Sequence, residues 1–185
     1  VTRSIITLSF ATFSSISGTF AYFHKPDFSR TVGKIACLYF SLDSYGLDLQ
    51  YIIHHIFGFL MSTILGFSRE ITQPLRFIYI FTTLEYSTVL LDIYHINKSQ
   101  IVKYLFAGTF FYYRLYGYTR WLLFEYPEYS REYDVICTDH KYYKTDSCKT
   151  IMYSGSGIIG LLNVYWGYLI AKKIYGKFKR YIKNN

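Results

Sequence analysis

Tyr51-Ile-Ile-His-His-Ile-Phe-Gly-Phe-Leu60 decides how this chain is read. The run is apolar apart from the adjacent His54 and His55, and it opens a longer stretch, Tyr51 to Phe67, with the character of a membrane-crossing helix. Ionisable side chains at bilayer depth lose their hydration. They are rare there, face a protein or water-filled interior, and mark a candidate functional site.

Working outward, four further stretches have the same character: Ile5 to Phe23, Leu75 to Ile96, Tyr104 to Phe124 and Gly155 to Tyr175. A helix needs about 20 mainly apolar residues to cross the hydrocarbon layer, and its backbone groups must pair internally. A sixth stretch, Ile35 to Leu47, carries Asp43 and is too short to cross alone. A tilted or broken helix and a continuation through Asp48 are both open, and a hairpin bending near Gly46 is preferred. The expected fold class is therefore all-α integral membrane, a multi-pass bundle of about six transmembrane helices. Residues 1–185 form one domain, with a soluble loop at 125–154 and a basic tail at 176–185.

Composition agrees, since 51% hydrophobic and 17% charged residues leave too little polar surface for a soluble domain of 185 residues. The first stretch lacks a strongly basic leader and a small-x-small cleavage site, so it is read as a span and not a signal peptide. No repeat pair or matched set of Gly- or Pro-broken helices supports a channel or transporter.

The formal net charge is +8, and Lys172, Lys173, Lys177, Lys179, Arg180 and Lys183 lie within the final fifteen residues. Such a juxtamembrane tail follows the positive-inside rule and is drawn to anionic headgroups by about 1 kcal/mol per charge. Nucleic acid is the poorer partner. The 125–154 loop, with six carboxylates against four Lys and Arg, falls on the opposite side, while Lys98 and Lys103 fall on the tail's side. Lys25, Arg30 and Lys34 come out with the acidic loop if all six stretches cross. Either the weak stretch does not cross, or the rule fails there.

Of three cysteines, Cys137 and Cys148 in the acidic loop are a candidate disulfide, which would place that face in an oxidising lumen or intermembrane space. Two free thiols are the other reading. The 22 Tyr and 16 Phe fit an interfacial aromatic belt or simply an AT-rich genome.

Five polar groups lie in or beside the spans: Asp43 with Asp48, His54 with His55, Glu85 with Ser87, Asp92 with His95, and Arg114 with Arg120. Neutral imidazole serves as base, nucleophile or ligand, and a carboxylate on its second nitrogen fixes the tautomer; Asp43, Asp48 or Glu85 would do this. Adjacent helical residues point about 100° apart, so one histidine works while the other supports it. Glu85, Asp92 and His95 share a helix face expected to look inward. No His-x-x-x-His or Glu-x-x-His spacing occurs in a span, and no metal site is expected. Arg114 needs a partner: Glu85, Asp43 or the acidic end of a lipid. The competing reading of the whole set is a buried hydrogen-bonded cluster that fixes helix packing.

Taken in order, Tyr39-Phe-Ser-Leu-Asp43, His54-His55, Leu84-Glu-Tyr-Ser-Thr88, Phe110-Phe-Tyr-Tyr-Arg114 and Leu161-Leu-Asn-Val-Tyr-Trp166 with the basic tail resemble the TLC-domain family, membrane proteins related to the ceramide synthases. The resemblance covers nearly the whole chain. It implies a bundle around a polar-lined cavity open to lipid or acyl chains, with His54 or His55 as acyl acceptor or base and Asp43 and Glu85 as orienting carboxylates. Asp48, Arg114, Asn163 and Trp166 are lipid-binding candidates, with acyl-CoA or bound lipid as the ligand and no resident cofactor.

The chain departs from the synthases in Phe81-Thr-Thr-Leu-Glu-Tyr-Ser-Thr88, which lacks their His-Asp pair, and at Phe10, where a His-Ala step is expected. It is closer to the non-synthase branch, linked to membrane lipid composition, and an acyltransferase of ceramide-synthase type lacks its full motif here. The expected function is to bind, sense or modify acyl lipid in an intramembrane cavity. The alternative is a non-catalytic accessory subunit of a large membrane assembly such as a mitochondrial respiratory complex. Family resemblance points to the endoplasmic reticulum and the alternative to the mitochondrial inner membrane. Ile182-Lys-Asn-Asn185 carries neither a KDEL-type address nor a dilysine pair. A start at Val1, near the family's first core span, is what processing of an N-terminal helix or targeting peptide would leave.

Overall fold

A computed structural model describes residues 2–42, 48–69, 71–138 and 140–184, and every regular element among them is helical. Helix α1 (Thr2–Phe23) has 22 residues and is about 33 Å long. A 3₁₀ turn with Pro26 at its start leads into α2 (Ser29–Leu42), and α3 (Leu49–Gly66) carries the paired histidines. Two stretches, Ile5–Phe23 in α1 and Leu49–Gly66 in α3, are long and apolar enough to cross a membrane, with mean hydropathy 1.2 and 1.3. The weak sequence stretch belongs to a helix that begins six residues earlier than Ile35, because Ser29, Val32 and Gly33 are already buried against its neighbour. Asp43 and the bend near Gly46 lie outside the described residues.

The fourth stretch forms α4 (Arg76–Thr83) and α5 (Glu85–Asn97), separated only by Leu84, whose φ of −59° and ψ of −30° keep the helical path. The fifth is one rod of three parts: α6 (Gln100–Thr109), a π-helix (Phe110–Gly117) and α7 (Tyr118–Phe124). Lys98 turns the chain between the two rods in the left-handed conformation, φ 57°, and donates its N–H to the Tyr94 carbonyl at 2.8 Å. This tight reversal lets the fifth rod begin at Gln100, four residues before the apolar pattern alone suggests.

The rods close into a ring. Helix α1 packs on α2, α2 on α3, α3 on α9, α9 on the π-helix and α7, α6 on α5, and α4 and α5 return to α1. Side-chain pairings make each neighbouring pair antiparallel: Gly33 meets Gly66 across α2 and α3, Gly155 meets Met61 across α9 and α3, and Tyr22 stacks on Tyr79 across α1 and α4. Two of these crossings depend on missing side chains. A Cβ on Gly33 would lie 2.6 Å from the backbone nitrogen of Gly66, and one on Gly18 would lie 2.1 Å from Thr82 Oγ1. At Gly33 backbone meets backbone, and at Gly18 the backbone of α1 meets the Thr82 side chain, close approaches of the kind small residues allow between helices.

The expected loop at 125–154 is helical instead. It holds α8 (Tyr126–Cys137) and the start of α9 (Thr145–Asn184), a 40-residue helix about 60 Å long, twice the hydrocarbon thickness. Charge marked this stretch as polar, but its buried positions Tyr129, Tyr133, Ile136 and Cys137 recur at helical spacing. Cys137 and Cys148 are bonded with Cα atoms 5.5 Å apart, joining α8 to α9. Both oxygens of Glu132 accept backbone N–H groups at the start of α4, from Arg76 at 2.6 Å and Phe77 at 2.7 Å. Arg76 pairs in turn with Glu125 at 3.0 Å and Glu128 at 3.3 Å.

His140 ties this cap to α3. Its Nδ1 accepts the Tyr142 N–H at 3.2 Å, so the proton sits on Nε2, which donates to the Ile64 carbonyl at 3.0 Å. Beneath the cap lie Phe77, Tyr118, Trp121, Tyr129 and Tyr133, where the Tyr118 hydroxyl donates to the Ser156 carbonyl at 2.8 Å and Tyr133 bonds the Ser156 hydroxyl. These aromatics are a structural core, while many others, Tyr104, Tyr112 and Phe124 among them, are exposed. Lys34 lies over Phe67 at this same end, so the chain around Lys25, Arg30 and Lys34 emerges with the disulfide cap.

Candidate functional site

About three turns from the cap end of α3, polar side chains from four rods converge inside the ring. Arg114 is their centre, 6% exposed, on the π-helix. A π-helix adds a residue per turn and redirects the side chains it carries, and such segments are frequent at functional sites. Arg114 Nε donates to Ser87 Oγ at 2.8 Å and to the Leu84 carbonyl at 3.3 Å. Its other nitrogens donate to Thr88 Oγ1 at 2.8 Å and to Asn163 Oδ1 at 3.4 Å. The interruption at Leu84 is where the guanidinium meets backbone.

Every acceptor in that set is neutral. Glu85, half-buried, attracts Arg114 through space but forms no direct ion pair with it. Arg120 points elsewhere: it is 58% exposed and pairs with Glu125 at 3.5 Å. A guanidinium out of water is held by hydrogen bonds at a cost that a neutral set offsets only in part.

His54 and His55 both touch Phe40 of α2, at 5.8 and 5.2 Å, but their other neighbours differ. The His54 ring packs against Trp166 of α9 at 5.6 Å, and Trp166 also lies under the Arg114 guanidinium at 6.0 Å. His55 is 6% exposed and turns toward α2, with Phe40 at 5.2 Å and Tyr39 at 5.9 Å. The helical twist thus gives His54, not His55, to the Arg114 cluster. Tyr51 stacks on the far side of Trp166 at 5.5 Å.

Three buried polar atoms around Trp166 have no hydrogen-bond partner among the described residues: His54 Nδ1, Asn163 Nδ2 and Trp166 Nε1. Buried polar groups are nearly always paired; Arg30 Nε, Trp121 Nε1 and Glu125 Oε2 also lack a partner among the described residues, but these three atoms gather beside one guanidinium. Two are fixed donors, and Arg114 is a third donor group. The chemistry they complement is an acceptor-rich, preferably anionic, head.

The other sequence candidates are dispersed. Asp48 is exposed at the N-cap of α3, and Asp43 lies outside the described residues. Asp92 is buried at 7% whereas His95 is exposed, so the face shared with Glu85 stops short of His95. No group of three His, Cys, Asp or Glu able to hold a metal ion occurs among the described residues. Thr88 and the Leu84 carbonyl were not singled out from sequence; the small-hydroxyl run Ser87-Thr88 in an apolar helix was the available signal. A groove of about 590 Å³ lies away from the histidines, between Phe111, Leu115, Tyr116, Thr119, Arg120 and Phe124 on the fifth rod.

A helical ring with a polar, Arg-centred interior includes two apolar helices long enough to cross a membrane. A family model described as the TLC domain matches residues 1–172, and the chain belongs to that family. No curated protein and no solved structure matches it.

Proposed function

We propose that all six rods cross the bilayer and that the site around Arg114 binds the head of an acyl lipid. The observation that carries this reading is the convergence of unpartnered Asn163 Nδ2, Trp166 Nε1 and His54 Nδ1 on a guanidinium bonded to neutral oxygens. An acyl carbonyl supplies acceptor oxygens for these donors, and a lipid carboxylate also supplies the counter-charge that Arg114 lacks. Membership of a membrane lipid-related family supports the same ligand class. His54 is then the candidate base or acyl acceptor, with His55 and Glu85 as its support. The disulfide cap faces an oxidising compartment and the lysine-rich tail the opposite one, an arrangement that both the endoplasmic reticulum and the mitochondrial inner membrane offer.

Mild extraction, sizing and mass spectrometry of bound lipids and co-purifying proteins test the proposal. The expected result is a small particle carrying an acyl lipid that disappears from His54→Ala and Arg114→Gln variants. Lipid retained unchanged in both variants, or a lipid-free small particle, overturns it. A large particle with stable protein partners and no bound lipid makes the chain an accessory subunit of a membrane assembly instead.

A further inference from the structure

A guanidinium can only donate, so the end of the Asn163 amide that faces Arg114 must be its oxygen, and Oδ1 accepts there at 3.4 Å. That settles the other end. Asn163 Nδ2, buried and without a partner among the described residues, has its N–H groups still to give, and Trp166 Nε1 is a donor under any assignment. Ser87 Oγ, the Leu84 carbonyl, Thr88 Oγ1 and Asn163 Oδ1 engage each nitrogen of the guanidinium, which leaves a second N–H on each terminal nitrogen. Against these donors only His54 Nδ1 can accept, and Arg114 has no ion pair among the described residues.

The heads an acyl chain can carry meet this arrangement unequally. An ester or amide carbonyl brings one oxygen and no charge, so most of the donors and the whole charge of Arg114 stay unmatched. A phosphate diester brings the charge, but glycerol and a second chain must follow it into the ring. A phosphate monoester carries close to two negative charges against the single positive one. A carboxylate ends one chain, carries one charge and presents two coplanar oxygens to the edge of a guanidinium. Tyr51 stacks on the outer side of Trp166 and is 39% exposed, so one ring separates Trp166 from the surroundings and gives a chain its way out.

We infer that the ligand is a free long-chain fatty acid, held by its ionised carboxylate against Arg114, Asn163 and Trp166. This rests on the acyl-lipid reading of the site and narrows it to one head. The test titrates oleic acid, methyl oleate and oleoyl lysophosphatidic acid, which share a chain and differ in the head, onto the delipidated full chain in detergent. Native mass spectrometry reads the bound fraction.

Oleate should bind about thirtyfold more tightly than methyl oleate, a preference that the Arg114→Gln variant should lose. Equal binding of acid and ester, or tighter binding of lysophosphatidic acid, leaves the acyl-lipid reading standing and overturns the carboxylate. Binding of none of the three overturns the reading itself. A preference that survives in Arg114→Gln puts the counter-charge elsewhere, and displacement of oleate by excess acetate makes the ligand a small soluble acid; either overturns the inference. The ligand series on the wild type decides between the heads even if the variant does not fold.

Discussion

The disulfide cap and the mid-bundle cluster are both polar, and they differ in what stands beside the atoms they leave unpaired. In the cap, Glu132 has a backbone N–H for each oxygen and His140 a partner for each nitrogen, while Glu125 Oε2 and Trp121 Nε1 have none among the described residues. Around Trp166, three buried atoms have none among the described residues, and they stand beside a guanidinium whose acceptors are all neutral. The cap thus matches charge with charge, Arg76 with Glu125 and Glu128, whereas the cluster leaves a charge and several donors unmatched. Loss of a cap group should therefore lower stability and leave the ligand, and loss of a cluster group should do the reverse.

The sharpest break of that contrast is Arg114→Met. Replacing a buried charge with an apolar chain of similar length is often neutral for folding, and Ser87 keeps its own bond to the Leu84 carbonyl at 2.9 Å. Retention of acyl lipid should fall about a hundredfold, a loss of about 3 kcal/mol, while the thermal midpoint of the lipid-free protein stays within a few degrees. A collapsed midpoint with lipid still bound would make Arg114 a packing residue.

Next in size is the cap. Substituting Cys137→Ser together with Cys148→Ser opens a short loop and should cost about 3 kcal/mol, measured as a lower midpoint without reductant. Bound lipid should be unchanged at temperatures where the variant is folded. Trp166→Phe is a finer probe, since it keeps the ring beneath Arg114 but removes Nε1. About 1 kcal/mol of lipid affinity should go, with stability unaffected.

The smallest effect is a pH dependence confined to the cap. Burial raises the carboxyl of Glu132 above its usual value, against the opposing pull of its two backbone N–H bonds and the Arg76 charge. A raised folded pKa favours the folded state when the group is protonated, so this contribution is present at low pH and fades as pH rises through the folded value. The midpoint of the wild type relative to Glu132→Gln should therefore increase on acidification from neutral pH toward the ordinary carboxylate range. A difference independent of pH would mean that the ionised form is as well accommodated as the neutral one.

Sequence showed the helical class and five of the six rods, because an apolar run of membrane length satisfies its backbone groups most simply as a helix. Arg114 and His54 stood out in the sequence because charge within such runs is rare, and the structure brings both to the ring of Trp166. What it hid was local and short-ranged. The polar surface of 125–154 masked a buried stripe at Tyr129, Tyr133 and Cys137, and nothing in the neighbourhood of His140 announced that both its nitrogens would be used. Of the neutral partners of Arg114, Ser87 and Asn163 were noted from sequence, but their pairing with it was not: a carboxylate is the expected partner of a guanidinium, and neither Thr88 nor a backbone carbonyl draws attention in an apolar run.

Helix α9 has one more consequence. From Cys148 it continues through Asn163 and Trp166 to Lys177, and no proline interrupts it. Its one Gly/Ser run, Ser154-Gly155-Ser156-Gly157, falls between the disulfide and Asn163, and such pairs are where long helices bend. Beyond it the helix has no such pair, so Asn163, Trp166 and the lysine-rich end are one straight piece, and any bend of α9 pivots that piece about the disulfide end.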